Sequence, residues 1–132
     1  MTFGTLYLIP TPLGPSPVEY SLPAQVLEII DNIDLFVVDK PKSARAFLKY
    51  AGYSNPISEA KMVSLDKRST EQDAMDIFME LMQGKNLGIL SEAGAPGVAD
   101  PGSLLVKIAH ENNIKVSPLV GPSSFVLALM AS

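Results

Sequence analysis

The sequence predicts an α/β protein built on a five-stranded, mainly parallel sheet flanked by helices. Three observations carry that prediction. Five short apolar runs rich in β-branched residues recur along the chain, and segments of helical spacing separate them. The runs are apolar on consecutive positions, which suits strands buried on both faces. Strand, helix, strand, repeated in this way, joins parallel strands by right-handed crossovers. The 132 residues, 47% apolar and 18% charged, suffice for one domain with a single packed core.

The first run spans Thr5 to Ile9 and leads into a loop dense in proline and glycine. A helix over Val26–Ile30 follows, with Pro23 in its first turn, and then the second run, Leu35 to Val38. Pro41 is the same first-turn device for Ala44–Leu48. Met62 to Leu65 is the third run and the weakest of the five. Ser69 or Thr70 can cap a helix whose Ala74, Ile77, Phe78, Leu81 and Met82 form one stripe, and Gly84 ends it. The methionines of that segment, Met75, Met79 and Met82, have the spacing of ordinary core or near-surface residues. After the fourth run, Asn86 to Leu90, Asp100 is a plausible N-cap, with Pro101 at the first helical position of a helix that buries Leu104, Leu105 and Ile108. Ile114 to Leu119 is the fifth run. The last segment, Phe125 to Ser132, is apolar almost all round. Either it packs on the sheet and stops there, or a second domain or subunit covers it, and the second is expected.

Composition narrows the function classes. No apolar run reaches the length of a membrane-spanning helix, and Met1-Thr2-Phe3-Gly4 has none of the features of a signal peptide. The absence of cysteine excludes disulfides, thiolate catalysis and cysteine-ligated metal in this chain. A cytoplasmic location with no membrane partner is the expectation. A net charge of −4 argues against unassisted nucleic-acid binding by the surface as a whole. Neither a G-x-G-x-x-G after the first strand nor a G-x-x-x-x-G-K-[ST] is present, which argues against an ordinary dinucleotide fold and excludes a P-loop. His110, beside Glu111 on a helix, has no second histidine with which to hold a metal, and no metal site is expected.

Chemistry in an open parallel sheet belongs beyond the carboxyl ends of the strands. Three loops at that edge stand out: Pro10-Thr11-Pro12-Leu13-Gly14-Pro15, the twelve residues from Ser91 to Gly102, and Gly121-Pro122-Ser123-Ser124. Glycine lets a backbone approach a ligand closely, and proline fixes the loop beforehand, so such loops suit a ligand held by main-chain groups and shape. Turning the chain is their commonest task, but three on one edge point to a site. Of the carboxylates there, Asp100 reads as a helix cap and Glu92 as a group that holds its own loop. Asp39, at the end of the second strand, is the most site-like. Lys40, Lys42 and Arg45 could meet phosphate, although a solvated helix start also accounts for them.

These loops, in this order, resemble those of the tetrapyrrole methylases, the class III methyltransferases that use S-adenosylmethionine. Within that superfamily the segment Gly88 to Gly102 is similar to the S-D-A-G-T-P-G-I-S-D-P-G signature of the ribosomal RNA small subunit methyltransferase I family. Leu8 to Gly14 resembles its A-T-P-I-G-N loop, and Pro118 to Ser124 its P-I-P-G-P-S-A. The resemblance runs over essentially the whole chain and implies the N-terminal, cofactor-binding domain of a two-domain fold. Residues 1–132 would form that domain, and a C-terminal domain would be absent from them. Homodimers are common in this fold.

By position, the resemblance implies that the cofactor touches the backbone around Ala93, Gly94 and Ala95, then Val98 and Ala99. Pro10, Pro12 and Gly14 line the cleft, and Ser123 and Ser124 lie near the methionine end. Three loops depart from the family. Its E-D-T-R after the second strand is here Asp39-Lys40-Pro41-Lys42, keeping only the first acid as Asp39. Its Y-H-E-H-N-like stretch is Leu65-Asp66-Lys67-Arg68-Ser69, and the asparagine after the first-loop glycine is Pro15. The acceptor implied is ribosomal RNA at a ribose hydroxyl. A tetrapyrrole or other small molecule, and a cofactor-binding module without catalysis, are the alternatives.

Overall fold

The computed structural model describes residues 2–10, 24–66, 68–91 and 101–119. Five strands appear in chain order: β1 (Leu6–Pro10), β2 (Leu35–Val38), β3 (Met62–Ser64), β4 (Leu87–Ser91) and β5 (Val116–Pro118). With them are the helices α1 (Ala24–Asp31), α2 (Pro41–Ala51), α3 (Glu71–Met82) and α4 (Pro101–Glu111), and a short 3₁₀ turn at Ile57–Glu59. Every pairing is parallel, so the sheet is wholly rather than mainly parallel. All five expected strands are present, with ends moved by two residues or fewer.

Strand order across the sheet is β3-β2-β4-β1-β5. The chain therefore steps one way from β1 to β2 to β3, then the other way from β3 to β4 to β5. Right-handed crossovers in opposite directions place α1 and α2 on one face and α3 and α4 on the other. The two buried clusters have this composition. Ile30, Ala44, Phe47, Leu48 and Ala51 of α1 and α2 join Ile9, Phe36, Val38 and Leu90 of the strands. Ala74, Ile77, Phe78, Leu81, Leu105, Ile108 and Ala109 of α3 and α4 join Leu6, Val37, Leu87 and Ile89. Alternate residues of β1, β2 and β4 thus enter opposite layers. Covered faces on both sides are what consecutive apolar residues in these strands require. β3 and β5 are the two edges and are only partly buried, which is why the third run carried the faintest apolar signal.

Gly88, inside β4, shows how tightly one layer closes. A Cβ there would lie 2.7 Å from Ile9 Cδ1, and both Ile9 and Ile33 pack over the space it leaves. At the amino-terminal edge, Asn86 ties three strands together. Its backbone N–H donates to Asp34 Oδ2 at 2.8 Å, its Oδ1 accepts from the Thr5 N–H at 3.0 Å, and its carbonyl accepts from the Asp34 N–H at 2.9 Å.

Helix ends follow local chemistry. Pro41 opens α2 in its first turn, and Gly52, at φ 89°, closes it. The Tyr53 N–H then reaches the Leu48 carbonyl at 3.0 Å. Of the two candidate caps for α3, Thr70 is the one used. Its hydroxyl accepts from the Asp73 N–H at 3.1 Å, and Asp73 accepts from the Thr70 N–H at 2.8 Å, completing a capping box. Ser69 instead accepts from the Asp66 N–H in the preceding turn. Thr70→Ala is expected to cost about 1 kcal/mol, read as a lower urea midpoint at unchanged slope. No change would mean that water satisfies those donors equally well. Gly84 turns the chain after α3 at φ 92°. Pro101 begins α4, while Pro23, Asp100 and the apolar segment from Phe125 lie outside the described residues.

Candidate functional site

Because all strands run parallel, their carboxyl ends share one edge, and register fixes which ends are neighbours. Pro10 pairs with Ser91 at the ends of β1 and β4, and Leu8 pairs with Pro118 at the end of β5. The three loops rich in glycine and proline therefore leave from three adjacent strands, β4-β1-β5. The chain departs from β1 toward α1 on one face and from β4 toward α4 on the other. Adjacent strands whose connections diverge in this way define the switch point of an open α/β sheet, where a crevice forms for a ligand.

Pro10 closes β1 at that crevice. Pro12, Gly14, Ala93, Gly94, Ala95, Val98, Ala99, Ser123 and Ser124 lie outside the described residues, as do Glu92 and Asp100. The strands place the roots of their loops together at the switch point.

Asp39 is the one site carboxylate that the described residues contain. It follows Val38, which pairs with Leu90 beside the crevice, and it is solvent-exposed. Among the described residues it has no hydrogen bond or ion pair. His110, on the last turn of α4, is exposed.

Beyond Asp39, α2 starts at this same edge. Its Ala44, Phe47, Leu48 and Ala51 are buried at i, i+3, i+4 and i+7, and its Lys42, Arg45 and Lys49 are exposed on the outward side. Lys40 and Arg68, the latter after β3, are exposed at the same edge. Lys40, Lys42 and Arg45 were legible as a group in the sequence. Lys49 was missed, although its i+7 spacing from Lys42 was available.

A cavity of about 340 Å³ opens at the opposite, amino-terminal edge. Asp34, Glu59, Lys61, Glu80 and Lys85 contribute to its wall, and Lys85 Nζ pairs with Glu80 Oε2 at 2.7 Å. Its charges are of both signs and mostly exposed, and it lies across the sheet from the glycine-rich loops. It is a separate feature from the switch point.

The family model for tetrapyrrole (corrin/porphyrin) methylases matches residues 5–132. The chain is 30% identical over 129 residues to a ribosomal RNA small subunit methyltransferase I of Leptospira biflexa, covering 98% of this chain and 50% of that relative. It is likewise 30% identical to the protein of the same name from Escherichia coli O157:H7, covering 98% and 42%. The corresponding protein of Buchnera aphidicola subsp. Schizaphis graminum is 32% identical, again over 98% and 42%. The chain thus spans half or less of the length of these relatives.

Proposed function

Since the chain belongs to the tetrapyrrole (corrin/porphyrin) methylase family, we propose that residues 1–132 are the cofactor-binding half of an S-adenosylmethionine-dependent methyltransferase. The observation that carries this is the switch point. Pro10 and Ser91 end side by side, and the chain leaves them toward opposite faces. Such a crevice suits an extended ligand held by backbone groups, and S-adenosylmethionine fits that description.

Ala93, Gly94, Ala95, Val98 and Ala99 would hold the cofactor through main-chain groups from the β4 side. Pro10, Pro12 and Gly14 would wall it from the β1 side, with Ser123 and Ser124 at its methionine end. When bound, S-adenosylmethionine supplies an electrophilic methyl group on a sulfonium. In-line displacement needs alignment above all, so small residues and backbone that fix the cofactor are chemically sufficient on that side. Asp39, one residue beyond β2, would accept the proton released by an acceptor hydroxyl.

The acceptor in this reading is RNA, at a ribose hydroxyl. The names of the relatives support it, since each is a ribosomal RNA methyltransferase. A second domain completes the cleft, the relatives being about twice as long as this chain. The protein works as a homodimer in the cytoplasm. Among the described residues no helix is long and apolar enough to cross a membrane.

Calorimetric titration of S-adenosylhomocysteine tests the reading in the 132-residue chain and in the full-length protein. Binding by the full-length protein, with little or none by residues 1–132 alone, is the expected result. Absence of binding by both would remove the methyltransferase reading and leave the loops as scaffold.

A further inference from the structure

Helix α2 is a basic element in an acidic chain. Residues 39–51 carry four cations against one carboxylate, a net +3, in a chain whose total is −4. Within α2 itself there are Lys42, Arg45 and Lys49 and no acidic residue. All three are exposed. Among the described residues none is within ion-pair distance of a carboxylate, the ion pair there being Lys85 with Glu80. Asp39 is the acid beside them. Asp66, at the end of β3, is engaged locally by the Arg68 N–H at 2.8 Å.

This arrangement works against the helix as a free-standing element. Lys42 and Arg45 are three apart and Arg45 and Lys49 four apart, so like charges face one another along one side. Lys42 sits in the first turn, where the helix dipole disfavours a cation, while Lys49 in the last turn is favoured by it. Lys40 occupies the N-cap position with no side-chain hydrogen bond to the open N–H groups, where serine or aspartate would supply one. Local rules broken together without a structural return point to function.

We propose that the outward face of α2, formed by Lys42, Arg45 and Lys49, binds the sugar–phosphate backbone of RNA and holds it beside the carboxyl edge of the sheet. Lys42 and Lys49 are about 10 Å apart along the helix, long enough to follow two or three successive phosphates. Arg45 between them can fork onto one phosphate through two N–H groups. α2 begins two residues after Asp39, so a backbone held along this face reaches the crevice. An anionic membrane would also attract the charge. Insertion, however, needs large apolar side chains beside the cations, and Phe47 and Leu48 of α2 are buried against the sheet, with the small Ala46 exposed among the cations. The inference rests on the reading of the acceptor as RNA, and it adds the surface that would hold it.

The test compares the full-length protein with its K42Q/R45Q/K49Q variant. Binding to a short mixed-sequence RNA is measured across a salt series, and S-adenosylhomocysteine binding is measured in parallel. Loss of three phosphate contacts is expected to lower the log–log salt slope by about 2, which weakens RNA binding roughly 50-fold at about 0.15 M salt. Cofactor-product affinity should stay unchanged. A K42R/K49R variant should bind RNA like the parent, as should one carrying K107Q and K115Q on the remote, exposed lysines. RNA affinity and slope unchanged in the triple variant would overturn the proposal while leaving the methyltransferase reading intact. Loss in the K42R/K49R variant equal to that in the triple variant would overturn it too, by showing a structural effect. A triple variant that loses binding to phosphatidylserine–phosphatidylcholine vesicles but keeps RNA would replace RNA with a membrane. If the parent fails to bind S-adenosylhomocysteine yet RNA binding still depends on the three cations, the surface stands and the methyltransferase reading falls.

Discussion

Replacing Phe36 by alanine is expected to remove about 4 kcal/mol of stability, a large share of the 5–15 kcal/mol typical of a domain. Phe36 is 1% exposed, in the layer beneath α1 and α2. Its ring meets Tyr53 edge-on, with centroids 5.9 Å apart and planes at 79°, a geometry that contributes beyond simple burial. The neighbouring β4 position in register is Gly88, which has no side chain with which to fill the resulting cavity. The space above Gly88 is already taken by Ile9 and Ile33, so collapse has little to draw on. Urea denaturation should show a much lower midpoint for Phe36→Ala, and a loss near 1 kcal/mol for Phe36→Leu, which keeps most of the volume. Equal effects from the two variants would show that this layer relaxes freely, contrary to its packing.

Asp39→Asn is expected to lower methyl transfer by about 10²- to 10⁴-fold in the full-length protein, with S-adenosylhomocysteine binding unchanged. An amide has the shape of a carboxylate but cannot take a proton, and general-base catalysis contributes on that scale. Single-turnover transfer from labelled S-adenosylmethionine to small-subunit ribosomal RNA would measure it. A variant as fast as the parent would make Asp39 a bystander of the crevice. Failure of the parent itself to transfer a methyl group would favour a cofactor-binding module without catalysis.

Local chemistry was legible in the sequence, and long-range chemistry was not. The bounds of β2, the proline that opens α2 and the Thr70 cap all depend on residues a few positions apart. The same holds for the stripe of α3, of which Ala74, Ile77, Phe78 and Leu81 are buried while Met79 lies exposed. The place of β4 between β1 and β2 depends on which strands meet, and a pattern of apolar runs does not encode that. Asn86 illustrates the limit. In the sequence it was the first residue of an apolar run; in the fold its hydrogen bonds join β1, β2 and β4 at their starts. At the site, parallel strands were enough to bring the three loops to one edge. Their grouping on adjacent strands, and the position of Lys49 beside Lys42 and Arg45, required the strand order and the buried face of α2.

That order also sets a timetable for folding. β1 finds its partners only when Leu6 meets Leu87 and then Val116, and β2 with its neighbour β3 is joined to β1 and β5 only through β4. A chain growing from its amino terminus can assemble β2, α2 and β3 early, since Phe36 and Met62 are close in sequence. β1 must wait, its backbone groups unpaired, until the fourth strand has been made and inserted between it and β2. Closure over so long a loop is entropically costly before any contact compensates it, so docking of β4 is the step expected to be slow. The last strand of the central three to be synthesised is thus the one that turns two separate pieces of chain into a sheet.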